Sequence, residues 1–311
     1  MSKIKIIVNP EDPVSFCHGY LRPVIQQYFD IVDYVPGMQV TGHNCLVMTQ
    51  AAQTHDWYTH LVDSGAKLVY DAFWEYHATD LYIEKYQNSG LVASCSTYFW
   101  INEHYLNLSK RWNSYTPEHD PVRTHRALLP IRQSKPHRRQ LLTALRPWLD
   151  TIMYSSVDQG RFLPNDVPDT QGDFQRNFNP EWYNQTYFSI VSETTTYTKY
   201  RLHVTEKTFK PISFFHPFVI FGQPGTLSYL HELGFETFEN LFDETYDANP
   251  DQNSRLRQVV DNIVYFLERD YDRLTWDKMA HNNALFYNTA RMLTMLVNDI
   301  IAPIIQYAET R

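Results

Sequence analysis

The chain's pattern predicts an α/β protein built from two Rossmann-like layers in tandem, and three observations support this. Short apolar runs alternate with helical patterns, the mark of parallel βαβ units. The alternation pauses at a polar, Pro-bearing stretch, KRWNSYTPEHDPVRTH, and then restarts. At 311 residues the chain also exceeds the usual size of a single hydrophobic core. The layers are assigned to residues 1–115 and 116–311, the second carrying the terminal helices.

In the first layer KIKIIV opens as a strand, followed by an amphipathic stretch, LRPVIQQYFDIV, and by the apolar runs CLVMTQ, AKLVYDAF and GLVASC. THDWYTHLVDSG, between two of these, has a helical pattern. No GxGxxG follows the first strand, so this layer is not expected to hold a dinucleotide in the usual way. The second layer restarts with RALLPIR as a strand, Pro136 to Trp148 as a helix and TIMYSS as a strand. Asp158 to Pro180 reads as an exposed polar loop. Phe188 to Tyr229 then reads as a strand ending in Glu193, a helix opening at Val204-Thr205-Glu206-Lys207, and a buried strand, Pro217 to Phe221, closed by a Gly-Gln-Pro-Gly turn. GTLSYLHELGF looks helical and stops at Gly234. Amphipathic patterns run from Ser254 to Glu268 and from Trp276 to Tyr307, the latter kinked at Pro303.

Composition excludes several classes. With 43% hydrophobic and 20% charged residues the chain is a folded protein. No run approaches a membrane span and the N-terminus lacks a signal peptide's apolar core, so a soluble, cytoplasmic protein is expected. Cys17, Cys45 and Cys95 offer neither CxxC spacing nor an even count, and read as reduced packing residues. The histidines lack HExxH or Cys/His ligand spacing. The net charge of −8 hides an asymmetry: Pro121 to Leu149 contains no acid but holds Arg123, Arg126, Arg132, Lys135, Arg138, Arg139 and Arg146. Such exclusion of acids points to a polyanionic ligand rather than to a solvated face.

Two motifs carry the chemistry. In KPHRRQLLTAL, a helix starting near Pro136 places Arg138 in its first turn, where the macrodipole disfavours a cation. A ligand anion would offset that cost, with Arg138 the stronger phosphate ligand and Arg139 a supporting one. In HVTEKTFKPISFF, Thr205 can cap the helix while the first-turn amides and Lys207 face an anion. Lys210 supports them. Glu193 and Glu206 supply acceptors suited to ribose or sugar hydroxyls. A phosphate site beside hydroxyl acceptors indicates a sugar nucleotide.

KPHRRQLLTAL, FSIVSETT and HVTEK, followed by a helix, a strand and a Gly-containing turn, occur in the order found in the α-1,3-fucosyltransferases (fucosyltransferase family ten). Over about residues 125–240 the chain resembles that family. The resemblance implies a GT-B fold, with two facing Rossmann-like domains, and a GDP-fucose-like donor. It implies that Arg138 and Lys207 hold the diphosphate, Glu206 the ribose, and Glu193 the sugar or its neighbourhood. His203 stands where the family has tyrosine, in the same donor-binding set. Ser192-Glu193-Thr194 replaces Phe-Glu-Asn, and Pro211, Phe214 and Phe215 replace small residues.

Such a transferase needs a base for the acceptor hydroxyl. Asp71, at a strand end in KLVYDAFWEYH, and Glu75 four residues on are the candidates, preferred to Glu84 and Glu103 because loops after parallel strands face the cleft. Asp270-Tyr271-Asp272 is the one DxD, and surface charge is its expected role. No metal and no cofactor are expected beyond the nucleotide-sugar donor, with a glycan or other hydroxyl-bearing acceptor as partner. The rival readings are a nucleic-acid-binding protein using the basic 122–146 segment, a transferase acting on modified DNA bases, and a non-catalytic scaffold.

Overall fold

A computed structural model describes residues 4–10, 21–40, 45–50, 56–72, 84–86, 88–93, 95–117, 123–166, 179–198, 201–269 and 276–310. The predicted apolar runs become strands of two parallel sheets. The first sheet holds β1 (Lys5–Val8), β2 (Asp30–Asp33), β3 (Cys45–Gln50), β4 (Lys67–Asp71) and β5 (Leu91–Ala93), in the order β2-β1-β3-β4-β5. The second holds β6 (Ala127–Leu129), β7 (Ile152–Tyr154), β8 (Phe188–Ser192) and β9 (Phe218–Phe221), in the order β7-β6-β8-β9. The strands β6, β8 and β9 are buried along their whole length, which is why they read as continuous apolar runs rather than alternating ones.

Three elements differ from the sequence pattern. LRPVIQQYFDIV is not one helix: a single turn, Arg22–Ile25, gives way to β2, whose Ile31 enters the core. The helix opening at Pro136 ends at Ala144, and Pro147, which cannot donate to the ladder, turns the next residues into a 3-10 segment, Arg146–Thr151. The predicted long C-terminal helix is broken after Phe286 and resumes as Thr289–Leu296. It then widens to a π-turn over Val297–Ile301 before the final helix Ala302–Glu309. Pro303 lies in the first turn of that last helix, so its missing N–H falls where the ladder has already opened.

Contacts divide the chain into two compact units, Lys110–Asn288 and Met1–Ser109 with Thr289–Arg311. The helices from Thr289 onward, which the pattern placed with the second domain, therefore pack with the first. The cause is specific. Lys67, at the start of β4, donates its ammonium to the carbonyls of Tyr307 (3.0 Å), Ala308 (2.7 Å) and Thr310 at the end of the last helix. Thr97 Oγ1 donates to Asp299 (3.3 Å), and Arg291 lies over the buried Trp100 ring. A lysine on a helix C-terminus satisfies orphan carbonyls and the dipole together.

The first unit's core gathers Ile7, Val47, Leu61, Leu68 and Tyr70. The second unit's sheet is covered by aromatic packing, with Phe188 against Phe242 and Phe266, and Phe218 against Phe238. Among the described residues no helix is long and apolar enough to cross a membrane.

Lys67→Met is expected to lower the first unit's unfolding free energy by about 1–3 kcal/mol, the scale of charge-assisted hydrogen bonds lost from a partly buried site. Amide exchange should accelerate in the last turn, around Tyr307 to Thr310, while the second unit's protection stays unchanged.

Candidate functional site

In the second sheet the chain leaves β6 for β7 on one side and returns as β8 on the other. The carboxyl ends of β6 and β8 thus form the switch point at which open parallel sheets bind ligands. A cavity of about 250 Å³ lies there. It is lined by Pro130–Gln133 and Lys135 after β6, and by Ser189–Ser192 and Thr194 along and after β8. Ser155, Val157, Leu163 and Asp166 border it from the β7 side, Trp182 and Tyr183 from a short helix, and Glu206, Lys207, Lys210 and Pro211 from the helix Glu206–Ser213.

Arg138 spans the switch point. It sits in the first turn of the helix Pro136–Ala144, 4% exposed, and its two terminal nitrogens donate to the carbonyls of Gln133 (3.1 Å), Ser192 (3.2 Å) and Glu193 (3.1 Å). The ends of β6 and β8 are thereby tied through one guanidinium. Its Nε is left without a hydrogen-bond partner among the described residues, and so is the hydroxyl of Ser192. Both atoms are buried, and both residues line the cavity.

Glu193 builds the helix start beside it. Its carboxylate accepts from the Thr205 amide (2.9 Å) and hydroxyl (2.6 Å), the Thr208 hydroxyl (2.7 Å) and the Thr194 amide (3.1 Å). Thr205 is the N-cap, its hydroxyl accepting from the Lys207 amide, as HVTEK predicts. Glu206 is buried and paired with Lys207 Nζ at 2.6 Å, and the same ammonium reaches the hydroxyls of Thr194 (3.2 Å) and Thr205 (3.1 Å). Lys135 Nζ donates to the Thr194 carbonyl (3.1 Å), bringing a second ammonium to the same edge.

Among the described residues the wall is electropositive: Arg132, Lys135, Arg138, Lys207 and Lys210 share the lining with two carboxylates, Asp166 and Glu206. Burial, then the charges of Arg138 and Lys207, lower the Lys135 pKa. Burial pushes the Glu206 carboxyl up, but the charges of Lys207 and Lys210 and the hydrogen bond from Lys207 outweigh it and hold it at about 2. His137, whose Nε2 bonds the Glu193 carbonyl at 3.0 Å, is lowered to about 4 by burial and then by the neighbouring cations. A cluster that already shifts its own members in this way is one that an anion relieves.

The structure therefore brings together Arg138, Glu206, Lys207 and Lys210 around one cavity, with Thr205 and Glu193 supporting the helix start from behind. Arg139 is exposed, bonds the Ser134 carbonyl and does not line the cavity. His203 is buried, its amide donating to Gln223 Oε1 (2.8 Å), and it too is outside the lining. Asp71 is the last residue of β4, in the first unit, and is 4% exposed. Glu75 and Asp270-Tyr271-Asp272 lie outside the described residues. Sequence reasoning did not single out Asp166 or Arg255, and it marked Ser192 and Thr194 only as departures from the family's pattern. Arg255 is 1% exposed and donates to the carbonyls of Gly222 (3.0 Å), Asn249 (2.6 Å) and Thr196 (2.5 Å), so it pins the loop that follows Glu193 at Thr196. A lone arginine on an amphipathic helix gives no signal of that role.

No protein-family model matches the chain, nor does any curated protein sequence. Among solved structures the chain is similar to three of alpha1,3-fucosyltransferase. The one with GDP-fucose is 14% identical, over 92% of this chain and 91% of that one, at a TM-score of 0.43. The one with GDP is 13% identical over 96% and 92%, at 0.38, and a third is 16% identical over 99% and 92%, also at 0.38.

His137 and His216 set an acid limit. His216 donates from Nε2 to the Thr186 carbonyl (2.9 Å), accepts from the Ser189 hydroxyl at Nδ1 (2.8 Å), and is lowered by burial to about 3. Both histidines are folded with pKa values below 6.5, so the unfolded chain binds their protons first. Their contribution is complete above pH 6.5 and is lost as pH falls through about 4 for His137 and about 3 for His216. Denaturant titrations from pH 7 to 4 should show stability falling by about 1.4 kcal/mol per pH unit for each proton, and His137→Asn should remove one proton's share of the slope.

Proposed function

We propose that this protein is a glycosyltransferase whose second unit binds a nucleoside-diphosphate sugar and passes the sugar to an acceptor hydroxyl, with inversion in a single displacement and without a required metal. One observation carries the reading. At the switch point, two buried cavity-lining donors, Arg138 Nε and Ser192 Oγ, have no internal partner among the described residues, and they stand among the ammonium groups of Lys135, Lys207 and Lys210. A buried donor without a partner costs about 1–3 kcal/mol. Phosphate oxygens supply the missing acceptors and the missing negative charge together.

The basic segment supports a small anionic ligand over a nucleic acid. Its Arg132, Lys135 and Arg138 turn to the cavity, whereas Arg123 and Arg126 lie on the Tyr187 ring. The resemblance of KPHRRQLLTAL, FSIVSETT and HVTEK favours a GDP-fucose-like donor held in a GT-B arrangement. In this reading Glu206 accepts from ribose hydroxyls, while Arg138 and Lys207 hold the diphosphate and stabilise the charge that grows on it as the bond to the sugar breaks. The acceptor oxygen bonds to the anomeric carbon as that bond fails, and its proton passes to Asp71 or Glu75. Glu193, His203, Thr205 and Arg139 act by shaping the site, and Lys210 adds charge.

Calorimetric titration with GDP and UDP, and an assay of sugar release or transfer, test the proposal. Lys207→Ala is expected to weaken nucleoside-diphosphate binding on the order of 10- to 100-fold, the worth of one charge-assisted contact. Arg138→Lys, which keeps the charge but loses the fork, is expected to weaken it comparably. Unchanged affinity in both variants would sink the assignment.

A further inference from the structure

The loop that follows Glu193 presents one side chain on a fixed backbone. Thr195 and Thr196 are buried, whereas the next residue, Tyr197, is 53% exposed. The Tyr197 amide donates to the Thr195 hydroxyl (3.5 Å), its carbonyl accepts from Gln223 Nε2 (2.9 Å), and the Thr196 carbonyl before it accepts from Arg255 (2.5 Å). The two anchoring side chains are themselves buried and fixed. Arg255 also holds the carbonyls of Gly222 and Asn249, while Gln223 accepts from the His203 amide at Oε1 (2.8 Å) and donates to the Arg201 carbonyl from Nε2 (3.2 Å). Gly222 and Gln223 directly follow β9. The loop thus leaves the carboxyl end of β8 and is bonded at its middle to the residues after β9, so Tyr197 stands on the sheet edge that carries the cavity. Thr194 lines that cavity; Tyr197, three residues on, lies outside the lining.

Fixing a surface loop in this way has a cost: each ordered residue gives up about 1–2 kcal/mol of backbone entropy, and the donors of a buried cation such as Arg255 must be filled. What the anchoring supplies is preorganisation. A tyrosine held in place offers a large, flat contact with few rotatable bonds left to freeze. In an inverting displacement the acceptor oxygen approaches the anomeric carbon from the side opposite the diphosphate, so the acceptor lies outside the phosphate cavity. Resting on the nucleotide-sugar reading above, we infer that Tyr197 is an acceptor-binding residue, and that the acceptor is a carbohydrate whose apolar face stacks on the exposed ring. A pyranose fits such a ring. The C–H groups of one face pack on the aromatic surface, while the hydroxyls at the rim stay in water or reach the phenol oxygen.

Saturation-transfer NMR of lactose, maltose and cellobiose against the full chain loaded with GDP tests the inference, with calorimetry of GDP alone as the control for the donor site. At least one disaccharide is expected to bind, with transfer strongest at the ring C–H protons. Tyr197→Ala is expected to weaken that sugar on the order of 10-fold, the worth of one aromatic contact, and to leave GDP affinity unchanged. Tyr197→Phe keeps the ring and should bind the sugar within about 2-fold of the unsubstituted protein. Binding of GDP with no binding of any disaccharide overturns the inference and leaves the donor site standing; that comparison needs no variant to fold. Unchanged sugar affinity in Tyr197→Ala overturns it as well, as does a Tyr197→Phe protein as weak as Tyr197→Ala. Loss of GDP and sugar together in Tyr197→Ala also overturns it, since the residue then serves only to shape the loop. Failure of GDP to bind the unsubstituted protein removes the nucleotide-sugar reading and this inference together.

Discussion

The Glu193 carboxylate is the interaction on which the second unit's binding edge depends. Four donors converge on it from Thr194, Thr205 and Thr208, so the end of β8 and the start of the helix Glu206–Ser213 are one hydrogen-bonded body. The backbone of the same residue is equally engaged. Its amide donates to the Phe221 carbonyl at the end of β9 (3.0 Å), and its carbonyl accepts from His137 and Arg138 on the helix after β6. Even the neighbouring glycine answers to it: a Cβ on Gly222 would meet the Glu193 side chain at 3.4 Å and the Thr226 hydroxyl at 3.1 Å, so a larger residue there would press on the network. A buried carboxylate is stable only when its acceptors are filled, and here internal donors fill them.

That internal satisfaction redistributes roles among the acids. Glu193, with its acceptors used inside the protein, fixes where Thr205 and Lys207 stand; Glu206, one residue past the cap, faces the cavity and balances Lys207. Arg138 divides in a similar way, with two nitrogens closing the crevice between β6 and β8 and a third left to the cavity. Groups held this firmly need no rearrangement when charge appears beside them, and preorganised dipoles and charges of this kind are what stabilise a departing anion.

Much of this was legible in the sequence, and the limits have physical causes. Strands buried on both faces read as apolar runs, and the Thr205 cap and its helix read from HVTEK, because both signals are local. The presence of a cationic site read from the acid-free stretch. The division of labour did not. Whether Glu193 points at a ligand or at Thr205 depends on contacts across a loop, and Arg255 acts through carbonyls of three separate segments. The C-terminal helices were assigned by adjacency to the second domain, whereas a single lysine on β4 and an aspartate in a π-turn hold them to the first unit. Tertiary partners far apart in sequence leave no periodic trace.

The charge pattern then explains why a net-acidic chain keeps an acid-free segment. Cations brought to the switch point repel one another in a partly buried setting, as the lowered Lys135 pKa records, and filling the place with carboxylates would remove the repulsion but also the site. The chain instead supplies one ion pair, Glu206 with Lys207, which fixes the geometry without neutralising the edge. The repulsion that remains is a standing cost to the free protein, and on the proposed reading a bound diphosphate would cancel it. Affinity for an anion and stability of the empty fold are thus set against each other at one place, and the Glu193 network, with no ligand of its own to hold, keeps the fold on the stable side.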